Sequence, residues 1–228
     1  LNRLSNLNRA TTRDPRIALL DRINEGGDAS AAEYLRPLLS DVDPAVAKLA
    51  ATIISAKSGA KVDAKTTEYA IIPVPSATTI AALQGATATV VMKGLGTINL
   101  ELYADDAPLT VAKFAELADK GSFNGLTFHR IVSNFVIQGG SPGADEYDGI
   151  TRDFMRDEVG IRSHLRGTLG VSTRGHDTGD GQIFINLVDN FRLDHQYTVF
   201  ARVTSGMDIV DRVQEGDVME SVKIIRKK

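Results

Sequence analysis

The chain has 228 residues, enough for one large domain or two small ones, and 43% of them are hydrophobic, enough for a sizeable core. Its 26 basic and 29 acidic residues give a formal net charge of -3, without the basic excess that nucleic-acid binding calls for, so no nucleic acid is expected as a partner. The lack of cysteine excludes disulfides, thiolate chemistry and Cys-ligated zinc, leaves a cytoplasmic or a periplasmic compartment equally open, and no apolar run approaches the roughly eighteen residues of a membrane span.

The chain opens Leu1-Asn2-Arg3, with neither methionine nor a signal-peptide pattern, which suggests a fragment or a processed product. Residues 1–60 read as helical. Asp14-Pro15 and Asp43-Pro44 each have the form of an N-cap followed by proline at the first helical position, where its missing N–H costs nothing. After Asp43 the residues Val46, Leu49, Ala50, Ile53 and Ile54 make the stripe of an amphipathic helix that Gly59 stops. A further helix is expected from Ser30 to Ser40, with Pro37 inside it. The segments from Asp14 and Asp43 share the form D-P-x-[IV]-A-x-L, and the second helix pair resembles a HEAT repeat. A docked helical appendage is the other reading of this region.

Residues 61–85 lose this periodicity and are expected to form a linker, held extended by Pro73 and Pro75. From Thr87 the pattern turns to β. Val90-Val91-Met92, a Gly94-Leu95-Gly96 turn, and alternation of Ile98, Leu100 and Leu102 predict a hairpin with one buried face. A helix is predicted over Thr110 to Lys120, ended by Gly121. Two short runs follow, Leu126 to Val132 and Phe135 to Gln138, joined by Ser133-Asn134 and closed by Gly139-Gly140. Strict alternation there would put the Arg130 guanidinium on the same face as Phe128 and Val132.

The loop from Ser141 to Gly149 is rich in Gly, Asp and Pro, but lacks the G-K-[ST] ending and helix context of a phosphate loop. Strands are expected at Gly167 to Thr173, Gln182 to Leu187, Thr198 to Val203 and Val218 to Arg226, with a short helix at Met207 to Val213. Many short strands and two helices indicate a mainly β fold, a closed or nearly closed antiparallel barrel with helical caps.

The run F-H-R-I-V-x-N-F-V-I-Q-G-G from Phe128 to Gly140 closely resembles the signature of the cyclophilin family of peptidyl-prolyl cis-trans isomerases. The resemblance extends from about Ala86 to Lys228. It includes G-x-I-x-x-E-L at Gly96 to Leu102, A-P-x-T-V at Ala107 to Val111, Asp157-Glu158, R-G-T-L at Arg166, G-Q-x-F-I at Gly181 and L-D-H-Q-Y-T-V-F from Leu193. It implies a closed eight-stranded barrel capped by two helices over residues 86–228, with its active site on the outer face. Carried over by position, that site comprises Arg130, Phe135, Val136, Gln138, Thr173, Gln182, Phe184, Leu193 and Tyr197, and it needs no cofactor.

These residue types suit rotation about a prolyl bond, which breaks no covalent bond and calls for neither nucleophile nor metal. At the twisted transition state amide resonance is lost and the proline nitrogen can accept a hydrogen bond, so a guanidinium at Arg130 binds that state better than the planar one. Phe135, Val136, Phe184 and Leu193 can form an apolar pocket for the ring. Gln138, Gln182 and the Thr173 backbone can hold neighbouring peptide groups.

Arg192 stands where several members carry tryptophan, Tyr197 where many carry histidine, and Ser172-Thr173-Arg174 where Ala-Asn-Ala is common. These departures bear on binding of the family's cyclic-peptide inhibitor and on the preference for the residue preceding proline. The competing function is a binding or scaffold module that grips a proline-containing peptide without turnover, its partner chosen by the helical segment.

Overall fold

The computed structural model describes residues 13–41, 43–65, 74–146, 148–151 and 153–227. The chain divides into two compact units, Leu1–Ile71 and Ile72–Lys228.

In the first unit, helix α1 (Arg13–Gly26) is followed by α2 (Ala31–Leu35), a 3₁₀ turn (Arg36–Ser40) and α3 (Pro44–Ser58). The single helix expected from Ser30 to Ser40 is thus two pieces. Pro37 has no N–H to give, so the i to i−4 bonding of the α-helix ends at Leu35 and the chain tightens into the 3₁₀ turn. Helix α3 is built as its sequence demands. Asp43 Oδ1 accepts from Ala45 N at 2.9 Å, Pro44 starts the first turn, and Gly59 ends it at a φ of 71° that favours glycine. Val46, Ile53 and Ile54 are fully buried against Leu20 and Leu35. Arg16 is buried among them and forms an ion pair with Asp41, whose other oxygen accepts from Asp43 N at 2.8 Å.

Part of the expected linker, 66–73, lies outside the described residues. Within the remainder a short helix α4 (Ala77–Ala81) forms where none was expected, because Ser76 caps it by accepting from Thr79 N at 3.1 Å. Strands β1 (Thr87–Met92) and β2 (Gly96–Leu102) make the expected hairpin, with Ile98, Leu100 and Leu102 buried. Helix α5 (Pro108–Asp119) begins two residues before its expected start. Pro108 occupies the first turn, and the Glu158 carboxylate accepts from the N–H groups of Leu109 and Thr110 at 3.0 and 2.7 Å.

The other strands are β3 (Thr127–Val132), β4 (Val136–Ser141), β5 (Thr168–Val171), β6 (Ile183–Asn186), β7 (Val199–Ser205) and β8 (Met219–Ile225), with α6 (Met207–Val210) before the last. They form one antiparallel eight-stranded sheet in the order β3-β4-β6-β5-β7-β2-β1-β8. Its concave side packs on α5 around Phe114, whose ring centroid lies 5.3 Å from that of Phe123 and 5.1 Å from that of Phe200.

The expected closed barrel is instead a curled half-barrel. Among the described residues no ladder joins its edges β3 and β8, which meet near one end through the bridge Thr127–Val218 and bonds such as Met219 N to Leu126 O at 2.8 Å. Two register shifts in β3, between Thr127 and Phe128 and between Phe128 and Arg130, add local twist that ends this pairing.

The second shift also corrects the face assigned to Arg130. Phe128 lies opposite Gly139 and Arg130 opposite Gln138, so His129 is the extra residue of a bulge. Alternation breaks there. Phe128 is fully buried in the core, while Arg130 is turned outward and half-buried, with Val132 but not Phe128 on its face.

Candidate active site

Four strands place the central row of the site. Arg130 on β3 lies opposite Gln138 on β4, Gln138 opposite Phe184 on β6, and Phe184 opposite Gly170 on β5. The next row, Ile131, Ile137, Ile185 and Leu169, points the other way into the core. Gly170 is required by this arrangement: a Cβ there would stand 2.3 Å from the Phe184 ring, so glycine makes room for that ring on the outer face.

Around Phe184 a second apolar cluster forms, separate from the core. Val136, Phe184 and Leu193 are buried in it, and Phe135 and Tyr197 pack on its edge. Leu193 arrives on a 3₁₀ turn, Phe191–Leu193. The Phe184 and Tyr197 rings meet edge to face, 5.9 Å apart at 90°. The four residues expected to form the apolar pocket are therefore together, with Tyr197 beside them.

The polar half lies on the other side of Gln138. Arg130 Nη1 donates to Gln138 Oε1 at 3.2 Å, and Gln138 Nε2 donates to Gln182 Oε1 at 3.0 Å and to Ser172 Oγ at 2.9 Å. Gln182, fully buried, passes its own Nε2 hydrogen to the Asp148 carbonyl at 2.8 Å. Thr173, half-buried just past β5, keeps its backbone groups out of any hydrogen bond among the described residues.

A model described as cyclophilin type peptidyl-prolyl cis-trans isomerase/CLD matches residues 87–227. The chain belongs to the cyclophilin family. A peptidyl-prolyl cis-trans isomerase of Helicobacter pylori (strain ATCC 700392 / 26695) is 40% identical over 131 residues, covering 56% of this chain and 80% of that protein. Peptidyl-prolyl cis-trans isomerase B of Bacillus subtilis (strain 168) is 39% identical over 128 residues, 56% of this chain and 90% of its own length. Among solved structures, a cyclophilin type isomerase of Cryptosporidium parvum shares the fold with a TM-score of 0.54 at 20% identity, over 62% of this chain and 97% of its own. The same protein was solved in the presence of the dipeptide Ala-Pro, with a TM-score of 0.55 at 19% identity, over 62% of this chain and 99% of its own.

Several residues around this row and cluster were not among the expected site residues. Glu146 of the loop after β4 places Oε1 2.9 Å from Arg130 Nε. Arg174 donates from Nη1 to the Glu146 carbonyl at 2.7 Å and pairs with the buried carboxylate of Asp180. Burial pushes the Asp180 carboxyl up from its ordinary value, and the Arg174 guanidinium opposes that shift.

His164, with no exposed surface, stacks behind Phe184 at 5.6 Å. Its Nδ1 faces Asn186 Nδ2 and its Nε2 the Tyr197 carbonyl, both at 3.2 Å, which assigns the neutral tautomer with the hydrogen on Nε2. Burial lowers its pKa, in keeping with that state. Asn190 ties the turn to the pocket, donating to the Phe135 carbonyl at 3.0 Å and to Asn186 Oδ1 at 2.7 Å.

The bulge residue His129 is also buried, and neither ring nitrogen has a hydrogen-bond partner among the described residues. Desolvation lowers its pKa. The Thr127 carbonyl and the Asp145 and Glu146 carboxylates pull the other way, the carbonyl from outside hydrogen-bond geometry.

Proposed function

We propose that residues 86–228 rotate X-Pro bonds in peptides or in folding and unfolded chains, with Arg130 as the catalytic residue. The row Arg130, Gln138, Phe184 carries this reading: a guanidinium and an apolar pocket flank one strand on the same face of the sheet. In this reading Phe135, Val136, Phe184, Leu193 and Tyr197 receive the ring and exclude water. Gln138 and the Thr173 backbone hold peptide groups preceding the proline, while fully buried Gln182 orients Gln138 from behind. Arg130 donates to the proline nitrogen as amide resonance is lost, lowering a barrier of about 18–20 kcal/mol. The related structure obtained with Ala-Pro supports a proline dipeptide as the minimal occupant.

Orientation of Arg174 toward Asp180 and Glu146 supports turnover over a scaffold role, since the pocket is not filled from within by that side chain. We further propose residues 1–60 as a HEAT-like segment that recruits a protein partner, joined by a linker at 61–85. The D-P-x-[IV]-A-x-L repeat and the buried face shared by α1, α2 and α3 support it.

The test is cis-to-trans relaxation of a short X-Pro peptide without a coupling protease. Acceleration by the wild type that falls tenfold or more in folded Arg130→Ala is the expected result. Equal acceleration by both discards the role of Arg130, and no acceleration by folded wild type discards the enzyme reading.

A further inference from the structure

The 3₁₀ turn that delivers Leu193 to the pocket also delivers an exposed cation beside it. The Arg192 guanidinium carbon lies 4.2 Å from the centre of the Phe135 ring, stacked on a wall of the pocket. A guanidinium stacked by its face keeps its N–H edge turned outward, available to a carboxylate.

Arg192 forms no ion pair among the described residues. Acids near it in sequence are committed elsewhere: Asp189 Oδ1 accepts from Arg166 N at 2.8 Å, and Asp194 Oδ1 accepts from His164 N at 2.7 Å. At the polar end of the groove the charges are matched, Arg130 with Glu146 and Arg174 with Asp180. The groove therefore has a compensated arginine at one end and an uncompensated one at the other.

The order of groups along β4 fixes which part of a substrate meets Arg192. Gln138, with its polar network, lies toward one end, Val136 lines the pocket, and Phe135 comes next at the far side. A peptide held by Gln138 and the Thr173 backbone ahead of its proline leaves the pocket across Phe135. Resting on the isomerase reading above, we infer that Arg192 is a specificity-determining residue that selects peptides carrying Asp or Glu just after the proline.

The experiment measures kcat/KM by uncoupled relaxation at low ionic strength on Ala-Ala-Pro peptides followed by Glu, Ala or Lys. A matched series varies the same residues before the proline, and both are run with wild type, Arg192→Ala and Arg192→Glu. The expected result is roughly a three- to tenfold preference for Glu over Lys after the proline, the size of one solvent-exposed charge contact. Added salt shrinks it, Arg192→Ala removes it and Arg192→Glu inverts it. Turnover of all peptides with no charge preference, or a preference unchanged in both variants, overturns the role of Arg192 and leaves the enzyme intact. A preference confined to the residue before the proline overturns the placement. If folded wild type turns over no peptide, the isomerase reading itself fails, and titration of the same peptides then reads the preference as affinity: equal affinity for the Glu and Lys peptides overturns it.

Discussion

Arg130 is held on two sides at once, with Glu146 Oε1 2.9 Å from its Nε and Gln138 Oε1 3.2 Å from its Nη1. Neither contact uses Nη2, which is left for a substrate. Glu146 is itself steadied, since its backbone carbonyl accepts from Arg174, which is anchored on buried Asp180.

Glu146→Ala should therefore lower kcat/KM by about three- to tenfold, less than Arg130→Ala, because misplacing a catalytic group by a fraction of an ångström is costly. Stability should change by no more than about 1 kcal/mol, as both partners are partly exposed. A rise in kcat/KM would instead identify Glu146 as a competitor of the substrate.

Gly170→Ala should drive the Phe184 ring out of position, since the added Cβ would lie 2.3 Å from it. The expected cost is about 1–3 kcal/mol of stability by chemical denaturation, with a loss of kcat/KM from a misshapen pocket. Gly160→Ala, with nothing within 4 Å of the new methyl, is the control that should leave both unchanged. Unchanged kcat/KM in Gly170→Ala would argue against Phe184 as a pocket wall.

His129 and His164 both have pKa values lowered from the ordinary 6.5, chiefly by burial. The unfolded chain then binds more protons than the native one below 6.5. Their contribution to stability is fully present above that pH and is lost as pH falls through the folded values. Tm should be level just above pH 6.5 and fall on acidification. His129→Leu should flatten the fall at little cost, since its ring makes no hydrogen bond among the described residues. His164→Leu, which breaks two, should lower Tm at every pH. An unchanged acid limb in His129→Leu would exclude His129 as a source.

In the helical unit, Asp41→Ala removes the carboxylate paired with buried Arg16 and should cost about 3–5 kcal/mol, read as loss of helical circular dichroism at lower urea. Replacing both, Arg16→Met with Asp41→Leu, should recover most of that. A silent Asp41→Ala would show that the pair is not buried in solution.

The elements and the pocket were legible because their signals are local. Alternation at Ile98, Leu100 and Leu102 names a buried face, and the motif around Phe135, Val136 and Gln138 carries the family resemblance from which the candidate site was drawn. What escaped depends on partners distant in sequence. The bulge at His129 exists only in the register of β3 against β4, so period-2 reasoning put Arg130 on the wrong face. Its one local trace was Gly139-Gly140, where a Cβ on Gly139 would stand 2.7 Å from the Thr127 carbonyl and Gly140 has a φ of 90°. Glu146 and Arg192 are ordinary surface residues until the loop and the turn that carry them are brought to Arg130 and Phe135.

The strand order has a consequence for synthesis. Strand β8 pairs along β1, Thr87 with Ile225, so the earliest strand of the sheet waits for the latest. The four strands that carry the central row lie at the opposite edge and are all translated before it. On the ribosome the face that carries the candidate site can thus be assembled while β1 still offers a bare edge, and only emergence of the stretch through Ile225 covers β1 against pairing with a neighbouring nascent chain.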